Sequence, residues 1–324
     1  MSSIWYTYKP ADTILVRGAD DDSSSAFSIF PPPASTIIGA IRTLYLQKQG
    51  IDFNEYKNNQ VPQNVYETIG RASENPPFEL LGPVFSKSTE IFIPAPAGWF
   101  YHNDSKEMDN HNSIKVQKKN IIRIKQVGTK DLPGISSSKE IKVWPEKYTD
   151  NMEPMAGKFL SLADILNYEQ ISEISLYNRD YFYHKEPRVG VALFDDRRTR
   201  DGKLYSFTHY RLNNAVTILF GLTKELGLGK EGILKIGAEQ RFGKYTEFKS
   251  PLLSALDSNS VPMFLSLSYN ACTDATKDLV LAFDKIVYFG GWDLAKGFHK
   301  PMTAYFPPGS LFKEKITNTI GLPF

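Results

Sequence analysis

The stretch Gly227-Leu228-Gly229-Lys230-Glu231-Gly232-Ile233-Leu234-Lys235-Ile236 decides between two fold classes. Its first six residues match G-x-G-x-x-G, the glycine pattern that seats a dinucleotide pyrophosphate between a strand and a helix N-terminus. The next four, Ile233-Leu234-Lys235-Ile236, form a short apolar run that reads as a strand where the motif needs a helix to begin. The dinucleotide reading therefore fails on context. Gly237 to Tyr245 fails as a phosphate-binding loop, with five residues between its glycines and Tyr245 in place of Ser or Thr.

Outward from that stretch, extended segments are expected at 215–222, 233–237, 261–269, 279–289 and 310–316, with few helices between them. The missing alternation of strand and helix argues against a doubly wound sheet, so the expected class is α+β with antiparallel sheets. Arg188-Val189-Gly190-Val191-Ala192-Leu193 and Lys203-Leu204-Tyr205-Ser206-Phe207-Thr208-His209-Tyr210-Arg211 read as a hairpin, with Asp201-Gly202 near the end of its turn. In the first half, Ile4 to Tyr8 alternates as a first strand does, and Thr13 to Arg17 continues extended. Leu81-Gly82-Pro83-Val84-Phe85 and Glu90-Ile91-Phe92-Ile93-Pro94-Ala95-Pro96 read as strand pieces punctuated by proline.

The clearest helix comes after Phe30-Pro31-Pro32-Pro33-Ala34-Ser35. Ile37, Ile38, Ile41, Leu44 and Tyr45 recur at helical spacing, Ser35 is the expected N-cap, and Gly50 sits where a C-terminal glycine belongs. A short helix is also expected within 152–166.

A chain of 324 residues with 41% apolar and 13% aromatic residues can build two cores, and two domains are expected. The formal charge of +2 neither demands nor excludes a nucleic acid, so local clustering decides. One cysteine, Cys272, excludes an internal disulfide and a thiolate zinc site, and points to a reducing compartment. No apolar run approaches the roughly 20 residues that cross a bilayer. The N-terminus lacks a charged segment followed by an apolar one, so the expectation is a soluble, cytoplasmic protein without a signal peptide.

Two places bring glycine beside arginine. On the first helix Ser35, Gly39, Arg42 and Leu46 form a second stripe beside the apolar one, and a bare glycine beside a guanidinium suits either a phosphate or close helix packing. The second is Gly237-Ala238-Glu239-Gln240-Arg241-Phe242-Gly243-Lys244, a glycine loop with Arg241 and Lys244. Between about Tyr101 and Tyr148 the chain is polar; Lys115, Lys118, Lys119, Arg123 and Lys125 fall within eleven residues that contain no acid. That segment reads as a basic hairpin protruding from its domain or as a surface loop. Arg197, Arg198, Arg200, Lys203 and Arg211 lie near Tyr205, Phe207 and Tyr210, which suits phosphate pairing with base stacking or a charged tip over an aromatic core.

The five histidines show no metal-ligand spacing. A general acid and base from His209 or His299 remains open for RNA cleavage, against a structural or surface role. Asp20, Asp21 and Asp22 read as a solvated turn before a magnesium site. No cofactor and no catalytic constellation are expected. Gly291-Trp292-Asp293 reads as a strand-end turn with Trp292 in the core, in preference to an indole that stacks on a base.

Several blocks together resemble a known family: Lys9-Pro10-Ala11-Asp12-Thr13-Ile14-Leu15-Val16-Arg17-Gly18, the run Phe30 to Arg42, Leu81-Gly82-Pro83, and Ile93-Pro94-Ala95-Pro96. Arg188-Val189-Gly190, Gly202-Lys203-Leu204-Tyr205, Ile236 to Arg241, Gly291 to Gly297, Lys300-Pro301 and Pro307-Pro308-Gly309-Ser310 continue the series in order. The chain resembles subunit three of the Cmr complex, the type III-B CRISPR effector that targets RNA. It departs from the family at Gly237-Ala238, where paired glycines are usual, and in lacking a glycine-rich loop near the C-terminus.

The resemblance implies a repeat-associated mysterious protein, or RAMP, with two ferredoxin-like (RRM-like) domains. These are expected at 1–155, carrying a long basic insertion near 101–148, and at 156–324. It implies a subunit that cuts no RNA, holds the repeat-derived 5′ tag of CRISPR RNA, and meets the large polymerase-like signalling subunit and the first backbone RAMP subunit, with target RNA nearby. The expected RNA contacts are Arg17, Ser35, Gly39, Arg42, Lys118, Lys119, Arg123, Lys125, Arg197, Arg198, Arg200, Arg211, Gly237, Arg241, Lys244, Lys296 and Lys300. The rival reading is a metal-independent RAMP endoribonuclease that processes CRISPR repeat RNA.

Overall fold

The computed structural model describes residues 3–18, 25–26, 28–72, 74–102, 107–109, 113–127, 143–254, 263–293 and 295–322. The fold is mixed α/β with mostly antiparallel sheets. Asp20 to Asp22 lie outside the described residues. The chain forms two compact units, residues 1–88, 183–249 and 288–304 in the first and 89–182, 250–287 and 305–324 in the second. Each takes segments from both sides of residue 155.

The first unit is organised around its N-terminal strand, β1 (Ile4–Pro10). β1 runs antiparallel to Val216–Leu222 on one side and to Phe242–Phe248 on the other, with Tyr8 opposite both Ile218 and Tyr245. Within this unit Glu231–Lys235 flanks Phe242–Phe248 and Leu80–Lys87 flanks Val216–Leu222. The strand after the glycine pattern is therefore Glu231–Lys235, a sheet strand as expected. Tyr6 stacks on Phe220 at 5.9 Å and meets Tyr245 edge-on at 5.7 Å. Gly221 is required opposite Trp5, because a Cβ there would come within 2.7 Å of the indole.

Helix α1 (Ala34–Lys48) buries Ile37, Ile41 and Leu46 and packs over Leu80–Lys87 and Glu231–Lys235. Gly50 comes just after it with φ +66, as its place predicts. The cap is different: Pro33 is the N-cap, Ser35 lies inside the helix, and no side chain caps the first turn. Proline fixes the entry angle there, and its missing N–H costs nothing before the first turn. Two short helices come next, α2 (Phe53–Lys57) and α3 (Gln63–Ile69).

The expected hairpin is longer than its sequence signal. Tyr183–Leu193 pairs with Thr199–Leu212 from Tyr183 opposite Leu212 to Leu193 opposite Thr199. Its turn is Phe194 to Arg198, with Arg197 at φ +65, and Asp201-Gly202 lies within the second strand. Phe30 stacks on Tyr210 at 4.7 Å and meets Tyr183 edge-on at 4.6 Å, closing the base of the hairpin.

In the second unit Glu90–Pro94, Phe159–Ser161, Glu173–Tyr177, Ser113–Gln117 and Glu107–Asp109 form one sheet. Met152–Pro154, Trp99–His102, Ile121–Gln126 and Val143–Pro145 form another. The basic segment 115–125 is thus neither a protruding hairpin nor a loop. A short 3-10 turn, Lys118–Asn120, passes the chain from the first sheet to the second. Burial explains the outcome: Ile114, Val116, Ile121, Ile122 and Ile124 are all enclosed, so each strand needs a sheet with a covered face. Only Leu162–Leu166 of the expected 152–166 helix is helical; Met152–Pro154 and Phe159–Ser161 are strands. A further sheet, Val280–Ala282, Leu311–Phe312, Met263–Ser266 and Thr319–Leu322, surrounds Phe264, Phe306 and Phe312.

Candidate nucleic-acid interface

Three arginines of the first unit converge on one carboxylate. Arg211 donates from Nη2 to Asp12 Oδ1 at 2.8 Å, Arg241 from Nη1 to Oδ2 at 2.9 Å, and Arg188 from Nη2 to Oδ2 at 3.2 Å. Glu186 takes Arg211 Nε at 2.7 Å and Arg188 Nε at 2.9 Å, and Glu239 takes Arg241 Nη2 at 2.9 Å. Backbone geometry sets this up. Arg188 and Arg211 come from the two hairpin strands, Asp12 from the bend after β1, and Arg241 from the loop opened by Gly237. Gly237 has φ +89, and a Cβ there would lie 2.3 Å from the Leu15 carbonyl oxygen, which accepts the Ala238 N–H at 2.7 Å. Its role in this fold is that close approach.

The cluster is charge-balanced. Burial pushes the Asp12 carboxyl up, but hydrogen bonds from Arg211 and Arg188 outweigh it and hold Asp12 at about 2. The same two arginines hold Glu186 at about 2. Beneath them His209 is enclosed, its Nδ1 3.0 Å from Thr13 Oγ1. Burial, and then the field of Arg188, pull its pKa down, so the imidazole is neutral at neutral pH. A ring so enclosed reaches no RNA hydroxyl.

On α1, Ser35 and Gly39 are exposed, and a Cβ at Gly39 would meet nothing within 4 Å. Close packing therefore does not require this glycine. Arg42 turns away from them: its Nε donates to Ile69 O at 2.7 Å and its Nη2 to Glu74 O at 2.8 Å. It ties the end of α3 to α1 beside Tyr56, whose hydroxyl donates to Gly70 O at 2.7 Å. Burial lowers its pKa.

The other expected residues divide into engaged and open side chains. Lys118 pairs with Glu169 at 3.3 Å and lies over the Tyr168 ring, and Arg123 pairs with Glu146 at 3.3 Å. Arg198 pairs with Asp196 at 2.6 Å and Lys244 with Glu231 at 2.6 Å. Lys119, Lys125, Arg197, Lys296 and Lys300 are exposed, and no ion pair is formed by them among the described residues. Arg17 is exposed, its guanidinium 4.6 Å from the centroid of the Phe207 ring. Arg200 belongs to the second hairpin strand, and its side chain lies outside the described residues. Trp292 is a correction: it is 53% exposed and not in the core, because Trp292–Asp293 and Phe298–His299 form a separate two-stranded ribbon with solvent on both faces. The residues that sequence reasoning missed are Asp12, whose three arginines lie far along the chain, Glu186, which meets Arg188 two residues on and Arg211 on the facing strand, and Glu239, which meets Arg241 two residues on. Among the described residues no group of acids, histidines or cysteines is arranged to hold a metal ion, and no helix is long and apolar enough to cross a membrane.

Solved structures share this fold. A chain of the type III-B Cmr-beta complex, studied by cryo-EM bound to cognate target RNA and AMPPnP, is similar with a TM-score of 0.56 at 15% identity, over 95% of this chain and 86% of that one. A chain of the Csm3-Csm4 subcomplex, from the type III-A CRISPR-Cas interference complex, gives 0.52 at 12% identity over 99% of both chains. No curated protein matches by sequence. Residues 6–264 match the family described as CRISPR-associated protein (Cas_Cmr3), which is most of the chain. On that match, and with the fold in agreement, the chain belongs to the Cas_Cmr3 family of CRISPR-associated proteins.

Proposed function

We propose that this chain is a non-catalytic RNA-binding subunit of a type III-B CRISPR effector in the cytoplasm. It holds the 5′ repeat-derived tag of CRISPR RNA and bridges the large polymerase-like subunit to the first backbone RAMP subunit, with target RNA close by. The observation that carries this reading is the Cas_Cmr3 match over residues 6–264. The two compact units are read as the two ferredoxin-like domains of a RAMP protein, each completed by segments from both halves of the chain.

The arrangement of cations supports division of labour at the tag. Exposed Arg17, Lys119, Lys125, Arg197, Lys296 and Lys300 are read as phosphate contacts, because a cation that forms no ion pair among the described residues can release counterions on binding. Arg42, Arg211 and Arg241 are read as shaping the surface, since their donors are already engaged. His209 is enclosed, which supports a binding role over the endoribonuclease alternative.

Ultraviolet crosslinking of the assembled complex, mapped to residues, tests the reading. Crosslinks from the 5′ tag to this chain are expected. Guide RNA that crosslinks only to other subunits would overturn it. So would a single defined cut in labelled repeat RNA incubated with the purified chain without metal, abolished by His209→Ala or His299→Ala.

A further inference from the structure

The ribbon in which Trp292–Asp293 pairs with Phe298–His299 carries aromatic side chains on both faces, and among the described residues neither face is buried. Trp292 pairs in register with His299, and Asp293 with Phe298. A two-stranded ladder puts facing partners on the same side, so Trp292 and His299 share one face and Phe298 lies on the other. Trp292 is 53% exposed and Phe298 67%. The Trp292 and His299 rings meet at 5.0 Å with their planes nearly perpendicular, and the indole stays 53% exposed.

The ribbon is built to keep this shape. Asp293 Oδ1 accepts the N–H groups of Ala295 at 3.0 Å and Lys296 at 3.1 Å, and its carbonyl accepts the Gly297 N–H at 2.8 Å. Gly297 supplies the φ of +63 that the turn requires. The Lys300 N–H closes the ladder on Gly291 O at 2.8 Å, and the bare Gly291 leaves its face open beside the Lys300 stem. Asp293, the sole acid in 291–300, thus commits one oxygen to the turn, while Lys296 and Lys300 are exposed. Two-stranded ribbons are marginal alone, and exposed aromatic rings cost solvation, so this composition asks for a partner.

We infer that the 291–300 ribbon is a stacking platform for single-stranded RNA. Trp292 takes an unpaired base on its open face, Phe298 offers a second ring on the other side, and Lys296 and Lys300 pair with the phosphates that flank the splayed bases. Rings beside lysines that outnumber the acids are the composition that single-strand binding surfaces use, because every base has a face to stack and every linkage a charge to pair. An apolar protein partner would be met by a ribbon without the lysines. This inference rests on the reading of the chain as an RNA-binding subunit and locates one of its contacts.

The test is equilibrium binding of a fluorescein-labelled 20-nucleotide single-stranded RNA to the full-length chain, for wild type, Trp292→Ala, Trp292→Phe and Lys296→Ala/Lys300→Ala. Circular dichroism and a thermal melt accompany each variant. The stacking platform predicts about a tenfold loss of affinity for Trp292→Ala, with most of it restored in Trp292→Phe. It predicts that the double lysine variant lowers the slope of log affinity against log salt by about 1.4. Wild-type binding that Trp292→Ala leaves unchanged overturns the platform alone. No binding by wild type overturns the RNA reading with it. Unchanged RNA affinity with loss of the chain from the purified complex makes the ribbon a protein contact and also refutes the platform.

Discussion

Arg241 and Asp12 stand 229 positions apart in the chain and 2.9 Å apart in the fold, guanidinium Nη1 on carboxylate Oδ2. Asp12 carries Arg211 and Arg188 as well, so one carboxylate joins the N-terminal bend, both hairpin strands and the glycine loop. Its pKa near 2, like that of Glu186, lies below the ordinary carboxylate range. A depressed carboxylate pKa contributes stability that is complete above about pH 4.5 and lost as pH falls toward 2. Asp12→Asn should therefore cost about 1 kcal/mol at neutral pH, a figure reduced because the side chain is partly solvated. It should also flatten the acid limb of stability against pH, measured by urea unfolding at pH 7, 4 and 2.5.

Arg42→Ala is expected to act on stability first. Two donors would be removed, leaving the part-buried Ile69 carbonyl without this partner while water reaches the exposed Glu74 carbonyl, at a cost of about 1 to 2 kcal/mol in urea unfolding. Arg42→Lys should rescue little, since an ammonium does not reproduce the fork that reaches both oxygens. Unchanged stability with weakened RNA binding would instead assign Arg42 to the RNA surface.

The two glycines that flank arginines should respond in opposite directions. Gly237→Ala places a Cβ against the Leu15 carbonyl at a positive φ and should destabilise the chain by about 2 kcal/mol. Gly39→Ala meets open space on an exposed helix and should stabilise it by about 0.8 kcal/mol. If Gly39→Ala also weakens binding of guide RNA in the assembled complex, the backbone there approaches the RNA.

Arg197, at the exposed hairpin tip, and Lys119, in the 3-10 turn, are expected to affect binding without affecting folding. Arg197→Ala and Lys119→Ala should each leave the thermal midpoint within about 1 °C, since neither side chain forms a described ion pair. Removing one phosphate-pairing cation should reduce the salt slope of RNA affinity by about 0.7. Titrations at 50, 100 and 200 mM salt measure this.

Local signals in the sequence were readable where local physics decides. The strand that displaced a dinucleotide motif, the stripe of α1 and the terminating Gly50 depend only on neighbouring residues. Long-range partners were not readable. Nothing local tells that Ser113–Gln117 and Ile121–Gln126, separated by three residues, join different sheets, or that Asp12 answers Arg188, Arg211 and Arg241. Arg211 and Arg241 looked like open phosphate ligands because Asp12 comes from a remote segment and Glu186 reaches Arg211 from the facing strand; only Glu239, two residues before Arg241, was within local reach. Trp292 looked like a core residue because aromatic residues usually are; it lies instead on a two-stranded ribbon and is half exposed.

The pairing of β1 on both edges has a consequence for biosynthesis. Its two neighbours, Val216–Leu222 and Phe242–Phe248, are translated more than two hundred residues after it. A nascent chain leaves the ribosome N-terminus first, so β1 waits with both edges unpaired while everything between is made. Open edges recruit other strands, and the wait is when this chain is most exposed to aggregation. A product that stops short of residue 216 would keep that strand unpaired permanently, so interrupted translation leaves an adhesive fragment and not a folded half.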